Sequence, residues 1–393
     1  MRNPHFFGNA IGGEKMTRNE FFKLIGSVVV SAGAVGLGTH QTQARENMGN
    51  LKGKIEVNYK VKKLFLKHTW TIARNSSDFK NNVFVQIRHD GIDGIGEAAP
   101  NVRYHETPES TIETIEKAFP LIEKYGLWHF SDLGYAIQSA TDQQTAGKAA
   151  LDIAMMDWVT KKLGVPLYQY LGLDQSKVPV TTFSIGIDSI EMIKQKVKEA
   201  APYPILKIKV GKENDVEIIE AVRSVTDKPL RVDANEGWKD KHEALEKINW
   251  LEKMGVEFIE QPMPSEMLEE TKWLRDHCNM PIVADEAVKS AADIPKLAQA
   301  YDGINIKLMK SAGIQEALRM IAMARSLGMK IMLGCMIESS VAIAAAAHIS
   351  PLVDWVDLDG NLLLAEDPFQ GHQVVDGKIV LNDQPGLGVS GEF

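Results

Sequence analysis

A modified TIM barrel of (β/α)7β type, joined to a smaller α+β capping domain, is the α/β architecture that this 393-residue chain predicts, and three observations lead to it. After Val178, short β-rich runs alternate with amphipathic stretches of helical period until eight such runs have passed. Seven polar residues, Lys209, Asp233, Glu260, Asp285, Lys307, Cys335 and Asp357, close those runs about 25 residues apart, roughly the length of one strand, one helix and two loops. Before Val178 the pattern differs: alternating strands surround a turn at 90–94, and two long helical segments follow. A barrel gathers its strand ends at one mouth, so the seven polar residues should converge there.

Along the chain, residues 1–50 read as an export signal and linker. Arg18 and Lys23 precede the apolar run from Leu24 to Gly38, and Thr42-Gln43-Ala44 ends in a small residue, which are the three parts of a secretory signal near residues 16–44. The run is too short and too glycine-rich to span a membrane stably. Export to the periplasm is the expectation, and a cytoplasmic extension is the alternative. Residues 51–177 read as the capping domain: IEVNYKVKKLFL and NNVFVQIRHD alternate with period two, and the segments from Pro108 to Tyr125 and from Thr145 to Leu163 carry apolar residues three and four apart. Residues 178–364 read as the barrel, with strands in TTFSIGI, ILKIKV, LRVDAN, FIEQP, PIVADE, GINIKL, KIMLGC and WVDLD. Helices such as 190–200, 216–225, 242–254 and 314–326 supply its outer ring, and none follows the eighth strand. The tail, 365–393, holds strand-like stretches in HQVVDGKIVL and should return to the capping domain and complete it.

Composition narrows the partners. The chain is 44% hydrophobic and 24% charged with a net charge of −8, and it has no Lys/Arg stripe, so a phosphate-binding face for nucleic acid is excluded and a small molecule is the expected substrate. The two cysteines, Cys278 and Cys335, lie far apart without a CxxC pattern, which supports neither a disulfide framework nor a zinc site.

Asp233, Glu260 and Asp285 end three consecutive strands. Oxygen ligands without nearby His or Cys select a hard cation, and one Mg²⁺ per subunit is the expectation. Lys207 and Lys209, two apart, share one side of their strand, and the apolar Leu206, Ile208 and Val210 between them should face the helices, which leaves the lysines inside. Two buried ammonium groups need compensating anions. Like charge and burial should also lower a lysine pKa and make a general base. Lys307 takes the equivalent inward position on the sixth strand, so it should face Lys209 across the mouth. Opposed bases beside a cation that binds a carboxylate and stabilises an enediolate would invert a carbon centre. Asp357 and Asp359, also two apart and inward, make an anionic pocket for a cationic group.

These motifs, KxK at Lys207 and Lys209, DAN, EQP and ADE around the three carboxylates, and NIKLMK around Lys307, resemble the muconate-lactonising subgroup of the enolase superfamily. GEAAP at 96–100 and GKAALDIAMMDW in the following helix extend the resemblance from Lys54 to the C-terminus. The eighth-strand DLD is similar to the DxD of that subgroup's dipeptide epimerases, which implies that Asp357 and Asp359 hold a substrate α-ammonium. Ser184, Lys207 and Cys335 match substrate-binding positions, and Arg74 matches the capping-loop arginine of epimerases that act on alanyl-glutamate. The resemblance implies Mg²⁺-dependent epimerisation of L-Ala-D/L-Glu type dipeptides in murein peptide metabolism, with Lys209 and Lys307 as the acid/base pair. Epimerisation of apolar dipeptides stays open beside it. A cycloisomerase or o-succinylbenzoate synthase has no use for an ammonium-binding DxD, and an exported solute-binding protein needs no opposed lysines. Association into a homo-oligomer is compatible with the sequence.

Overall fold

A computed structural model describes residues 53–141 and 143–393; the export-signal reading of residues 16–44 lies outside the described residues. Strands β1 (Glu56–Thr71), β2 (Ser76–His89) and β3 (Ile92–Ala98) form an antiparallel meander. Helices Pro108–Tyr125, Phe130–Ala140 and Thr145–Leu163 cover it. The last of these is buried almost all round and lies so close to β3 that a Cβ at Gly96 would sit 1.9 Å from the Ala150 carbonyl oxygen. Glycine is required there by the close approach.

The barrel follows. Strands β4 (Phe183–Ile185), β5 (Leu206–Lys209), β6 (Leu230–Asp233), β7 (Val256–Glu260), β8 (Ile282–Ala284), β9 (Gly303–Lys307), β10 (Lys330–Gly334) and β11 (Trp355–Asp357) pair in parallel in chain order. Thr181 bridges Val356 in parallel and brings the two edges together, so the barrel is nearly closed. A helix follows each strand from β4 to β10, the one after β8 reduced to Ile294–Leu297, and none follows β11. This is the (β/α)7β order expected from the sequence. No helix among the described residues is long and apolar enough to cross a membrane.

Period-two alternation divides the barrel interior into two levels. At the floor, Phe258, Val283 and Met332 form a separate apolar cluster closed by Trp355, with the Arg231 guanidinium 5.3 Å from the Phe258 ring centre. Two residues further along these strands come Asp233, Glu260, Asp285, Gly334 and Asp357, at the mouth. A dry floor under a charged mouth keeps the polar groups at the end that the cap covers.

Two buried acids of the N-terminal part tie it to the barrel. Glu97, in GEAAP, accepts from Ser339 N at 2.9 Å and Ala342 N at 3.2 Å, so it caps helix Ser340–Ile349. Asp152, in GKAALDIAMMDW, accepts from Ile314 N at 2.6 Å and Gln315 N at 3.2 Å at the start of helix Ile314–Ser326. Both satisfy N–H groups that a helix start leaves without partners. The tail takes two positions. Gln373–Val375 and Lys378–Val380 form a hairpin under the barrel, where the Gly377 carbonyl accepts from Thr181 N at 2.8 Å. Farther on, Leu387 N donates to Asp157, and the Glu392 and Phe393 carbonyls accept from Lys62 and Lys60 of β1.

His348 and His372 are held neutral inside this assembly: burial pushes both down from 6.5 to about 4. Between those pH values the unfolded chain binds protons that the folded chain does not, so their contribution to stability is complete above pH 6.5 and lost on acidification towards pH 4. Glu97 and Asp152, pushed up to about 6 by burial, act with the opposite sign. The histidine effect is therefore read against a variant. Urea unfolding of wild type and His372→Gln should show the stability difference between them move by about 2–3 kcal/mol in favour of the variant from pH 7 to pH 4.5; parallel pH profiles would contradict it.

Candidate active site

The strand ladders bring the polar series together. Lys209 lies opposite Asp233 in the β5–β6 register, and Asp233 lies opposite Glu260 in β6–β7. One oxygen each from Asp233, Glu260 and Asp285 falls within 4.8 Å of the others, and all three carboxylates are buried. Lys209 Nζ donates to Asp233 at 2.5 Å, and Lys307 Nζ to Asp285 at 2.7 Å. The lysines thus approach the triad from β5 and β9, four strands apart in the ring. Lys207, 1% exposed, sits among three acids: its Nζ is 2.8 Å from Glu260 Oε2, 3.3 Å from Asp233 and 2.7 Å from Asp357.

The triad fits a hard dication such as Mg²⁺. Its donors are all oxygen, and among the described residues Glu260 Oε2 accepts no hydrogen bond despite its burial, with the Lys207 ammonium beside it as an ion pair at 2.8 Å. Burial and the neighbouring Asp233 charge push the Glu260 carboxyl up to about 8. Such a carboxylate gains most from a bound cation.

The lowering expected beside Lys209 is reversed at Lys207, and Lys307, outside that expectation, also moves up. Burial alone would lower Lys207 and Lys307, but facing carboxylates outweigh it: Asp357 and Glu260 hold Lys207 well above the ordinary lysine value, and Asp285 and Glu260 raise Lys307. The compensating anions that buried ammonium groups need are supplied by adjacent strands, and they outweigh the like charge two residues away.

The two acids of the DxD differ. Despite burial, the Lys207 and Lys209 ammonium groups hold Asp357 well below the usual carboxylate range, and it also accepts from Thr182 and, at 3.1 Å, from Ser184 Oγ. Asp359 accepts from Ser184 N at 2.6 Å, and burial followed by the Asp357 charge pushes it up to about 7. No lysine pairs with Asp359 among the described residues. A cationic ligand would find its partner there. Cys335 lies alongside, its Sγ 4.0 Å from Asp359, and burial drives the thiol pKa well up, so it remains a neutral wall group.

A cavity of about 550 Å³ joins these groups to the cap: Ser184, Lys207, Lys209, Lys307, Cys335, Asp357 and Asp359 line it from below, Arg74 from above. Arg74, in the β1–β2 turn, reaches the barrel loops and donates to Glu236 at 2.9 Å and Glu286 at 2.6 Å. Arg103 grips the same Glu236 by two bonds of 2.8 Å.

Several supporting residues escaped the sequence reading. Lys310 is buried against Asp285, donating to its side chain and, at 2.5 Å, to its carbonyl. Gln261 accepts from Asp285 N at 2.9 Å, and Asn305 donates to Glu260 at 2.8 Å. Asn235, Glu236 and Gln261 all adopt positive φ, of 45°, 66° and 35°, immediately after β6 and β7. Strained backbone of this kind is concentrated at sites that the surrounding structure over-determines. The second lysine of NIKLMK and the Gln of EQP were visible signals; their partners were not.

Comparison with known proteins agrees with this geometry. Residues 54–172 match the family model for the mandelate racemase/muconate lactonizing enzyme N-terminal domain, and residues 190–392 match the enolase C-terminal domain-like model. An L-Ala-D/L-Glu epimerase of Bacteroides thetaiotaomicron is 45% identical over 351 residues, 87% of this chain and 90% of that protein. A dipeptide epimerase of Cytophaga hutchinsonii, crystallised with Mg and D-Ala-L-Val, superposes with a TM-score of 0.81 at 28% identity, covering 86% of this chain and 95% of that one. A dipeptide epimerase of Enterococcus faecalis, crystallised with Mg and L-Leu-L-Tyr, gives 0.80 at 34% identity, covering 86% and 100%. With both halves of the fold matched and its acidic triad and lysines at one mouth, the chain belongs to the mandelate racemase/muconate lactonizing group of the enolase superfamily, among its dipeptide epimerases, which are isomerases.

Proposed function

We propose that this protein is a Mg²⁺-dependent epimerase of L-Ala-D/L-Glu type dipeptides that inverts the α-carbon of the second residue by a two-lysine proton transfer. The observation that carries this reading is the placement of Lys209 and Lys307 on strands four apart, each hydrogen-bonded to a different carboxylate of one buried triad. Asp233, Glu260 and Asp285 would hold one Mg²⁺ per subunit. When bound, the ion would supply positive charge to a substrate carboxylate and so acidify the adjacent C–H.

The chain's own groups do the rest. One lysine Nζ takes the α-proton from one face, and the other, protonated, returns a proton from the opposite face. Lys207 keeps Asp357 charged and fixes its orientation. Asp359 receives the substrate's α-ammonium, and Ser184 and Cys335 shape the wall beside it. Ordered contacts at both ends of the dipeptide align the α-carbon between the lysines, the condition for proximity to contribute. For the second residue, a cation of the cap, Lys80, in the cavity wall favours an acidic side chain, in keeping with the Bacteroides relative's name. Apolar dipeptides are the second reading, favoured by Trp70, Ile72, Phe79, Ile337 and Leu363 in the same cavity wall. The leader-like sequence at 16–44 supports action on murein peptides in the periplasm.

Three outcomes follow from this reading. Incubation of L-Ala-L-Glu in D₂O should give α-deuteration and epimerisation, and Lys209→Ala and Lys307→Ala should each lower epimerisation by about 10²–10⁴-fold while retaining exchange on opposite epimers; a variant that epimerises like wild type would remove the two-base mechanism. Chelation should abolish exchange and added Mg²⁺ restore it, with Mg²⁺ binding by calorimetry weakened in Glu260→Gln; metal-independent exchange would be decisive against the role given to the triad. Fractionation of cells expressing the full chain should recover it with periplasmic markers, and recovery with the cytoplasm would defeat the export reading.

A further inference from the structure

The β1–β2 hairpin contributes two cations to the cavity, and the surroundings meet their charges differently. Arg74 is already engaged: its Nη1 donates to Glu236 and its Nη2 to Glu286. Arg103 also bonds Glu236, so two guanidinium groups face two carboxylates and little charge is left to attract a ligand. Lys80 is in the opposite condition. It lines the same cavity from β2, half-buried, and among the described residues it makes no ion pair and no hydrogen bond. Burial alone acts on its ammonium and lowers its pKa, with no carboxylate near enough to oppose the shift.

Its direction is set by the strand. Lys80 lies two residues before Asn82 and so shares its face of β2. Asn82 donates to the Ile337 carbonyl at 3.0 Å, in the loop after β10. Lys80 therefore overlooks the β10 side of the mouth, among Met336, Ile337 and Leu363, whereas Arg74 stands over the loops after β6 and β8. A cation withdrawn from water, without an anion and beside an apolar wall, is costly unless a ligand completes it. The substrate's α-carboxylate belongs with the triad and its lysines, and its ammonium with Asp359. A second carboxylate would find Lys80 as the cation of the cavity not already paired with a protein acid.

Resting on the epimerase reading, we infer that Lys80 is the specificity-determining cation of this site and receives the side-chain carboxylate of an acidic second residue. Arg74 instead holds the cap to the barrel through Glu236 and Glu286. The bond to Lys80 is charge-assisted and partly screened from water, which is where such bonds discriminate best between a carboxylate and its neutral isostere.

The test compares L-Ala-L-Glu with L-Ala-L-Gln, equal in shape and different in charge, by α-proton exchange in D₂O with Mg²⁺. Lys80→Met should lower kcat/KM for L-Ala-L-Glu by about 10- to 100-fold and leave L-Ala-L-Gln within about twofold, and Lys80→Arg should recover most of the loss. An unchanged melting temperature in both variants excludes loss of fold as the cause. The inference is overturned if Lys80→Met lowers both substrates alike, if it spares L-Ala-L-Glu, or if wild type itself prefers L-Ala-L-Gln. Wild type that exchanges neither of these dipeptides nor an apolar one would instead sink the epimerase reading, and this inference with it.

Discussion

Charge balance among buried side chains governs the mouth of this barrel. Asp233, Glu260, Asp285, Asp357 and Asp359 are buried there with Lys207, Lys209, Lys307 and Lys310, and unscreened attraction or repulsion among such groups is many times stronger than in water. None of these groups could be buried alone. The distribution of partners then separates chemically equal residues into roles. Lys207 touches three acids and links the triad to Asp357, which makes it a counterion with little freedom to transfer protons. Lys209 and Lys307 each hold a single acid and line the cavity. Asp359 is paired with no lysine among the described residues.

Much of this was legible in the chain because period-two alternation is local. The apolar residues around Lys207 and Lys209 declare which side is inward, and regular spacing declares a strand end at each polar residue. What was not legible depends on neighbours brought in by the sheet. The expected lowering of the lysine pKa failed at Lys207 because the compensating acids come from other strands. Lys310, three residues beyond Lys307, looks like any helix-approach lysine until β8 places the Asp285 carboxylate and carbonyl over it. Gln261 and Asn305 are likewise ordinary amides whose work is to hold Asp285 and Glu260 in place. Gly334 belongs with them, since a Cβ there would come 2.7 Å from the Asn305 side-chain oxygen and displace that amide.

The division between chemistry and selectivity follows the same physics. Groups on barrel strands are fixed by ladders on both sides and suit proton transfer, which tolerates little displacement. The β1–β2 hairpin, which lines the upper part of the cavity, has its turn held down by Arg74 on two barrel carboxylates. The relatives' differing dipeptides on a shared barrel are consistent with such a separation.

The helix caps supplied by Glu97 and Asp152 bear on how the chain reaches this state. Their bonds to Ala342 and Ile314 span 245 and 162 residues of sequence, far beyond the local contacts on which fast folding depends. The first turns of helices 314–326 and 340–349 gain these buried partners only when the N-terminal domain docks on the barrel. During synthesis the N-terminal sheet and helices emerge first, and their two buried acids, Glu97 on β3 and Asp152 on helix Thr145–Leu163, meet partners in barrel segments made much later. The nascent chain therefore carries unpaired charged surface until its last third arrives, and closure of the barrel and seating of the cap become one late, cooperative event.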